Sequence, residues 1–140
     1  MRALLPPAVL ALAVSLALPA TVGAATYKGK ATSMDRTFKY GNVTMRTSGA
    51  KVTKLAIESV TTSGCGGFMS VIFAPKDAET QIVKGSARIK GGKLFVKYRP
   101  VRSIEDQTTT IRASVTGSKV TGTFKSGALC GNEGRFTARR

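Results

Sequence analysis

The chain's 140 residues include seven carboxylates, and four of these form close pairs, Asp77 with Glu79 and Glu105 with Asp106. Asp35, Glu58 and Glu133 stand alone. A glycosidase needs two carboxylates facing each other across a sugar, about 5 to 9.5 Å apart. Both close pairs fall in polar connections, 75–80 and 103–107, where acidic residues ordinarily serve as solvated turn formers. The chain has no histidine, which excludes Ser-His-Asp and Cys-His catalysis, His-ligated zinc and a His-based pH switch. Two cysteines cannot by themselves complete a four-cysteine zinc site or an iron–sulfur cluster. These residues point away from an enzyme, and neither a metal nor a cofactor is expected.

Binding chemistry is better supplied. Lys and Arg number 22 against 7 Asp and Glu, a formal charge of +15. The densest cationic stretch is 82–99, which reads as a hairpin turning at Gly91-Gly92. Counting outward from that turn sets Ile89 opposite Leu94, Ala87 opposite Val96 and Gly85 opposite Tyr98 on an apolar face. The other face then carries Lys90 opposite Lys93, Arg88 opposite Phe95, Ser86 opposite Lys97 and Lys84 opposite Arg99. Directly opposed like charges cost about 0.2–1 kcal/mol each in a sheet, and neither run holds an acid to relieve them. A local rule broken without compensation often marks function. Lys84, Arg88, Lys90, Lys93, Lys97 and Arg99 are therefore a candidate anion-binding strip. Phe95 is either a cation–π partner of Arg88 or a stacking platform for a sugar ring or base. Lys28 and Lys125 lie outside this strip. The competing expectation is a solvated basic edge whose lysines prevent strand-to-strand aggregation.

The compartment is legible at the N-terminus. Met1-Arg2 precedes an apolar run over 8–18, broken by Pro19 and followed by small residues at Ala20, Gly23, Ala24 and Ala25. That order is a secretory signal peptide, and the run is too short to span hydrocarbon, which takes roughly 20 apolar residues. Residues 1–25 are expected to be the signal peptide and 26–140 a single domain. Cleavage near Ala24-Ala25 would start the mature chain at Ala25 or Thr26, with secretion to the periplasm or the cell exterior. An exported chain meets oxidising conditions, so Cys65 and Cys130 are expected to form one disulfide. Gly64-Cys65-Gly66-Gly67 reads as a turn around that cystine.

The elements that must position these residues are strands. Segments rich in Val, Ile, Thr, Phe and Tyr recur between glycine turns. They cover 26–31, 40–47, 50–60, 67–74, 82–89, 93–99, 108–115, 119–125 and 135–139. Ser48-Gly49 and Gly117-Ser118 are further two-residue turns. The latter sets Val115 opposite Val120, Ala113 opposite Gly122 and Ile111 opposite Phe124. Within 50–60 the apolar phase slips between Val52 and Leu55, which predicts a β-bulge. Eight or nine short antiparallel strands imply an all-β domain, a single β-sandwich, with a flattened β-barrel as the alternative.

Several stretches resemble a group of small exported β-rich proteins of high-GC bacteria. They are Tyr27-Lys28-Gly29-Lys30, the run from Gly49 to Leu55, Cys65, the run from Gly117 to Phe124, and the ending Cys130…Gly134-Arg135-Phe136-Thr137-Ala138-Arg139. The resemblance implies secretion and a β fold and brings no catalytic or binding residue with it. Two functions follow from the residues. The first is a non-catalytic exported module binding an anionic polymer: a wall phosphate polymer, an acidic glycan, lipid headgroups or extracellular nucleic acid. The second is a structural or protein-interaction domain, such as an inhibitor or assembly subunit, whose charge serves solubility.

Overall fold

The computed structural model describes residues 23–60, 68–75, 80–100, 108–127 and 131–140. The expected signal sequence up to residue 22, Cys65, Cys130 and both close carboxylate pairs lie outside the described residues.

Nine antiparallel strands follow one another without a helix among the described residues. They are β1 (Ala24–Thr32), β2 (Lys39–Ser48), β3 (Lys51–Val60), β4 (Phe68–Phe73), β5 (Thr80–Gly85), β6 (Lys93–Pro100), β7 (Thr109–Thr116), β8 (Lys119–Ser126) and β9 (Glu133–Arg139). All nine lie in one sheet, in the order β4-β3-β2-β1-β9-β8-β7-β6-β5. The all-β expectation holds, but one continuous sheet that curls into a nearly closed barrel replaces the expected two-layer sandwich, so the alternative architecture is the one approached. Each half of the sheet is a meander of neighbouring strands. The long-range step is β1 beside β9, with Gly29 opposite Ala138 and Ala31 opposite Phe136. Two hydrogen bonds nearly close the ring: Val52 N–H donates to the Ala87 carbonyl at 2.7 Å, and Ile89 N–H to the Ala50 carbonyl at 2.7 Å.

Alternation along the strands puts one face inside. Tyr27, Val43, Met45, Val52, Leu55, Ile57, Phe73, Leu94, Val96, Tyr98, Ile111, Val120, Phe124 and Phe136 form a single buried core. Phe73 and Tyr98 bring their rings to 4.9 Å across it. The predicted bulge is present, since Arg46 pairs with Lys54 but Thr47 pairs with Val52, leaving Thr53 unopposed. The β7–β8 hairpin has the expected register throughout, Val115–Val120, Ala113–Gly122 and Ile111–Phe124. The turn between β2 and β3 is one residue later than expected, at Gly49-Ala50, because Ser48 pairs with Lys51.

The hairpin at 82–99 is where expectation and structure part. Lys90 does face Lys93. Beyond that bridge the register slips: Gly85 pairs with Val96, Lys84 with Lys97 and Gln81 with Arg99. Gly85 is therefore not opposite Tyr98, nor Lys84 opposite Arg99. Ser86 still donates its N–H to the Phe95 carbonyl at 3.1 Å, but residues 87–89 leave β6 and cross to the start of β3, where Arg88 bridges Lys51 instead of Phe95. The departure turns at Gly85, whose φ of 78° lies in the left-handed region. A side chain there would also collide with the Phe95 carbonyl. Barrel closure thus outweighs hairpin continuity, because it buries Ala87 and packs Ile89 against the core.

Two glycines on the inner face of β8 and β9 admit aromatic rings. Gly122 pairs with Phe136, and Phe124 with Gly134. A Cβ on Gly122 would sit 2.6 Å from both the Phe136 ring edge and the Arg112 carbonyl oxygen. An aromatic ring covering a glycine on the paired strand is a stabilising device that also lets a sheet bend. On the opposite face of these strands lies a groove.

Candidate anion-binding groove

The groove runs over the outer face of β1, β9, β8, β7 and β6 and has a volume of about 1150 Å³. Strand pairing arranges its residues in rows across the sheet. In the middle row Lys30 is opposite Thr137, Thr137 opposite Thr121, Thr121 opposite Ser114, and Ser114 opposite Lys93. Four strand spacings set the two lysines roughly 19 Å apart. The next row reads Thr32, Arg135, Thr123, Arg112, Phe95. On the other side of the middle row, Arg139 is opposite both Lys28 and Lys119. The result is a floor of hydroxyl groups with cations at its margins. Lys28, Lys30, Arg36, Lys93, Arg112, Arg135 and Arg139 line it, and among the described residues no acidic side chain does.

The cations are held in different ways. The Arg112 guanidinium lies 4.5 Å from the centroid of the Phe95 ring, a cation–π contact. Lys93 donates to the Ser114 hydroxyl at 2.9 Å, and Lys30 donates to the Asn42 side-chain oxygen at 2.6 Å. Arg135 keeps its Nε buried without a hydrogen-bond partner among the described residues. The described carboxylates are occupied elsewhere. Glu58 accepts from the Asn42 amide at 2.7 Å, Glu133 lies 3.8 Å from the Lys125 ammonium, and Asp35 organises a loop over 33–38. Among the described residues, then, no carboxylate neutralises the groove from within.

The expected strip maps onto this surface only in part. Lys93 and Phe95 line the groove; Lys84, Arg88, Lys90, Lys97 and Arg99 do not. Lys84 and Lys97 face each other on β5 and β6, Arg88 and Lys90 sit on the crossing segment, and Arg99 donates to the Gln81 side chain at 3.1 Å. Phe95 does serve in a cation–π pair, but its partner is Arg112, directly opposite on β7, because Arg88 has moved to β3. Lys28, outside the strip, proves to line the groove, while Lys125 does not. Lys30, Arg36, Arg112, Arg135 and Arg139 were not singled out from the sequence. Arg112 alone had a legible signal, since its outward position follows from the correct β7–β8 register. Arg135 and Arg139 join the groove through the β1–β9 pairing, which no local pattern announces.

No family model matches the chain, and no curated protein or solved structure matches it either.

Proposed function

We propose that this protein is a non-catalytic module that binds an anionic polymer along the groove over β1, β9, β8, β7 and β6. The observation that carries the reading is seven cationic side chains around a floor of hydroxyls, with no acid among the described lining residues. Hydroxyls and guanidinium groups donate hydrogen bonds to phosphate, sulfate and carboxylate oxygens, and guanidinium does so bidentately. A floor roughly 19 Å long, from the strand spacing, suits several repeat units of a linear chain. Two adjoining like-charge pairs, Lys28–Arg139 and Lys119–Arg139, oppose sheet stability, and a bound polyanion would relieve them. Export by a cleaved signal sequence and a Cys65–Cys130 cystine belong to the same reading and put the groove in contact with wall phosphate polymers, acidic glycans, lipid headgroups or released nucleic acid.

The structural or protein-interaction reading draws on a different surface. Ile72 on β4 and Ile82 and Val83 on β5 are exposed, and these are the outermost strands of the sheet. Salt separates the two readings. Binding of long-chain polyphosphate through the groove should weaken steeply as salt rises, each neutralised phosphate adding about 0.7–0.9 to the logarithmic slope. The double variant Lys30→Gln/Arg112→Gln should flatten that slope by about 1.4–1.8. Arg46→Gln/Lys54→Gln removes an opposed pair of the same charge from β2–β3, outside the groove. Equal loss in the two double variants would leave only diffuse charge and overturn the proposal.

A further inference from the structure

Between β1 and β2 the chain makes a loop whose hydrogen bonds converge on one atom. Asp35 Oδ1 accepts from the Ser33 hydroxyl at 2.5 Å, the Thr37 hydroxyl at 2.6 Å and the Thr37 amide at 3.0 Å. The Ser33 hydroxyl in turn accepts from the Phe38 amide at 3.0 Å. Backbone bonds brace the same turn, Arg36 N–H to the Ser33 carbonyl at 3.0 Å and Ser33 N–H to the Phe38 carbonyl at 2.9 Å. Arg36, enclosed by this network, has a φ of 64° and is the one non-glycine residue with positive φ among those described. A residue with a Cβ enters that region at a cost, and such strain persists only where its surroundings enforce it. The side chain presented this way is one of the seven cations lining the groove.

We infer that Asp35 is a positioning residue for polyanion binding, holding Arg36 in the left-handed conformation that delivers its guanidinium to the groove. The inference rests on the groove reading above and deepens it. It implies that an acidic side chain beside a polyanion site increases affinity, against the sign of its own charge. The first and largest influence on the carboxyl, the Ser33 hydroxyl, together with Thr37, holds its pKa down to about 2. The acceptor is therefore ionised throughout neutral and mildly acidic solution.

Opposite signs make the test sharp. Binding of long-chain polyphosphate is measured for the intact protein and for Asp35→Ala, Asp35→Asn, Arg36→Gln and Asp35→Ala/Arg36→Gln. Arg36→Gln should weaken binding about five-fold near physiological salt, the loss of one phosphate contact. Asp35→Ala, which removes the acceptor, should weaken it by a similar factor. Asp35→Asn keeps an Oδ1 acceptor and loses the charge, so it should bind as tightly as the natural protein or more tightly. The double variant should be no weaker than Arg36→Gln alone, since both changes remove one contribution. If Asp35→Ala and Asp35→Asn tighten binding equally, charge alone acts and the inference is overturned. If Lys30→Gln/Arg112→Gln also leaves binding untouched, the groove reading itself falls. If that double variant weakens binding while Asp35→Ala tightens it, only the role of the loop is lost.

Discussion

The segment from β5 to Lys90 and the groove over β1, β9, β8, β7 and β6 both carry dense positive charge, yet they are built in different ways. In the first, the cations are neighbours along the chain. Its strand is outermost in the sheet, paired on one side, its register shifts between Ile82 and Lys84, and the chain turns away at Gly85. Lys84 ends opposite Lys97, Arg88 beside Lys51 and Lys90 opposite Lys93, so the charges are spread over three strands. In the second, the cations come from residues 28–36, 93, 112 and 135–139, far apart in sequence. Five paired strands set all but Arg36 in rows around shared hydroxyls, and the loop between β1 and β2 adds Arg36. Charge density along a strand is thus a poor guide to a site on a sheet, because the row across strands brings side chains together.

Substitutions that separate the two regions grade from large to small. Phe136 is buried beneath the groove beside Gly122, so Phe136→Ala should lower stability by about 3–5 kcal/mol. Val83→Ala on half-exposed β5 should stay within about 0.5 kcal/mol. Chemical denaturation of both variants checks the difference, and similar losses would deny the groove its rigid base. Gly122→Ala, which forces a Cβ against Phe136 and the Arg112 carbonyl, should lower stability by about 1–3 kcal/mol in the same assay. Arg139→Gln should raise the melting temperature slightly, by about 0.2–1 kcal/mol in stability, while weakening polyphosphate binding. A gain in stability without a loss of binding would make Arg139 a bystander.

The parts legible in the sequence were those settled by local rules. Period-two alternation and glycine turns located nine strands, and the two-residue turn at Gly117-Ser118 set the β7–β8 register residue by residue. The slip between Val52 and Leu55 located the bulge, since a buried face cannot tolerate a change of phase without one. The hairpin at 82–99 misled because its turn is right and its continuation wrong. Residues 87–89 alternate well enough to extend the hairpin, but their pairing with β3 is decided by the near-closure of the barrel. Gly85 does not meet Tyr98 as the hairpin register predicts, and the glycines that face aromatic rings across paired strands are Gly122 and Gly134. Arg135 and Arg139 became site residues through β1–β9 pairing, between strands about a hundred residues apart. Arg36 was hidden because nothing in Asp35-Arg36-Thr37 alone announces a left-handed arginine.

The most direct test of the groove maps the ligand onto the sheet. Amide chemical shifts of the isotope-labelled protein, followed during titration with short-chain polyphosphate, report which strands the anion touches. The account predicts the largest changes at residues 28–36, 93–95, 112–114, 121–123 and 135–139, with small ones over β5 and residues 86–90. Changes concentrated on Lys84, Arg88 and Lys90, or spread evenly over the basic surface, would contradict it.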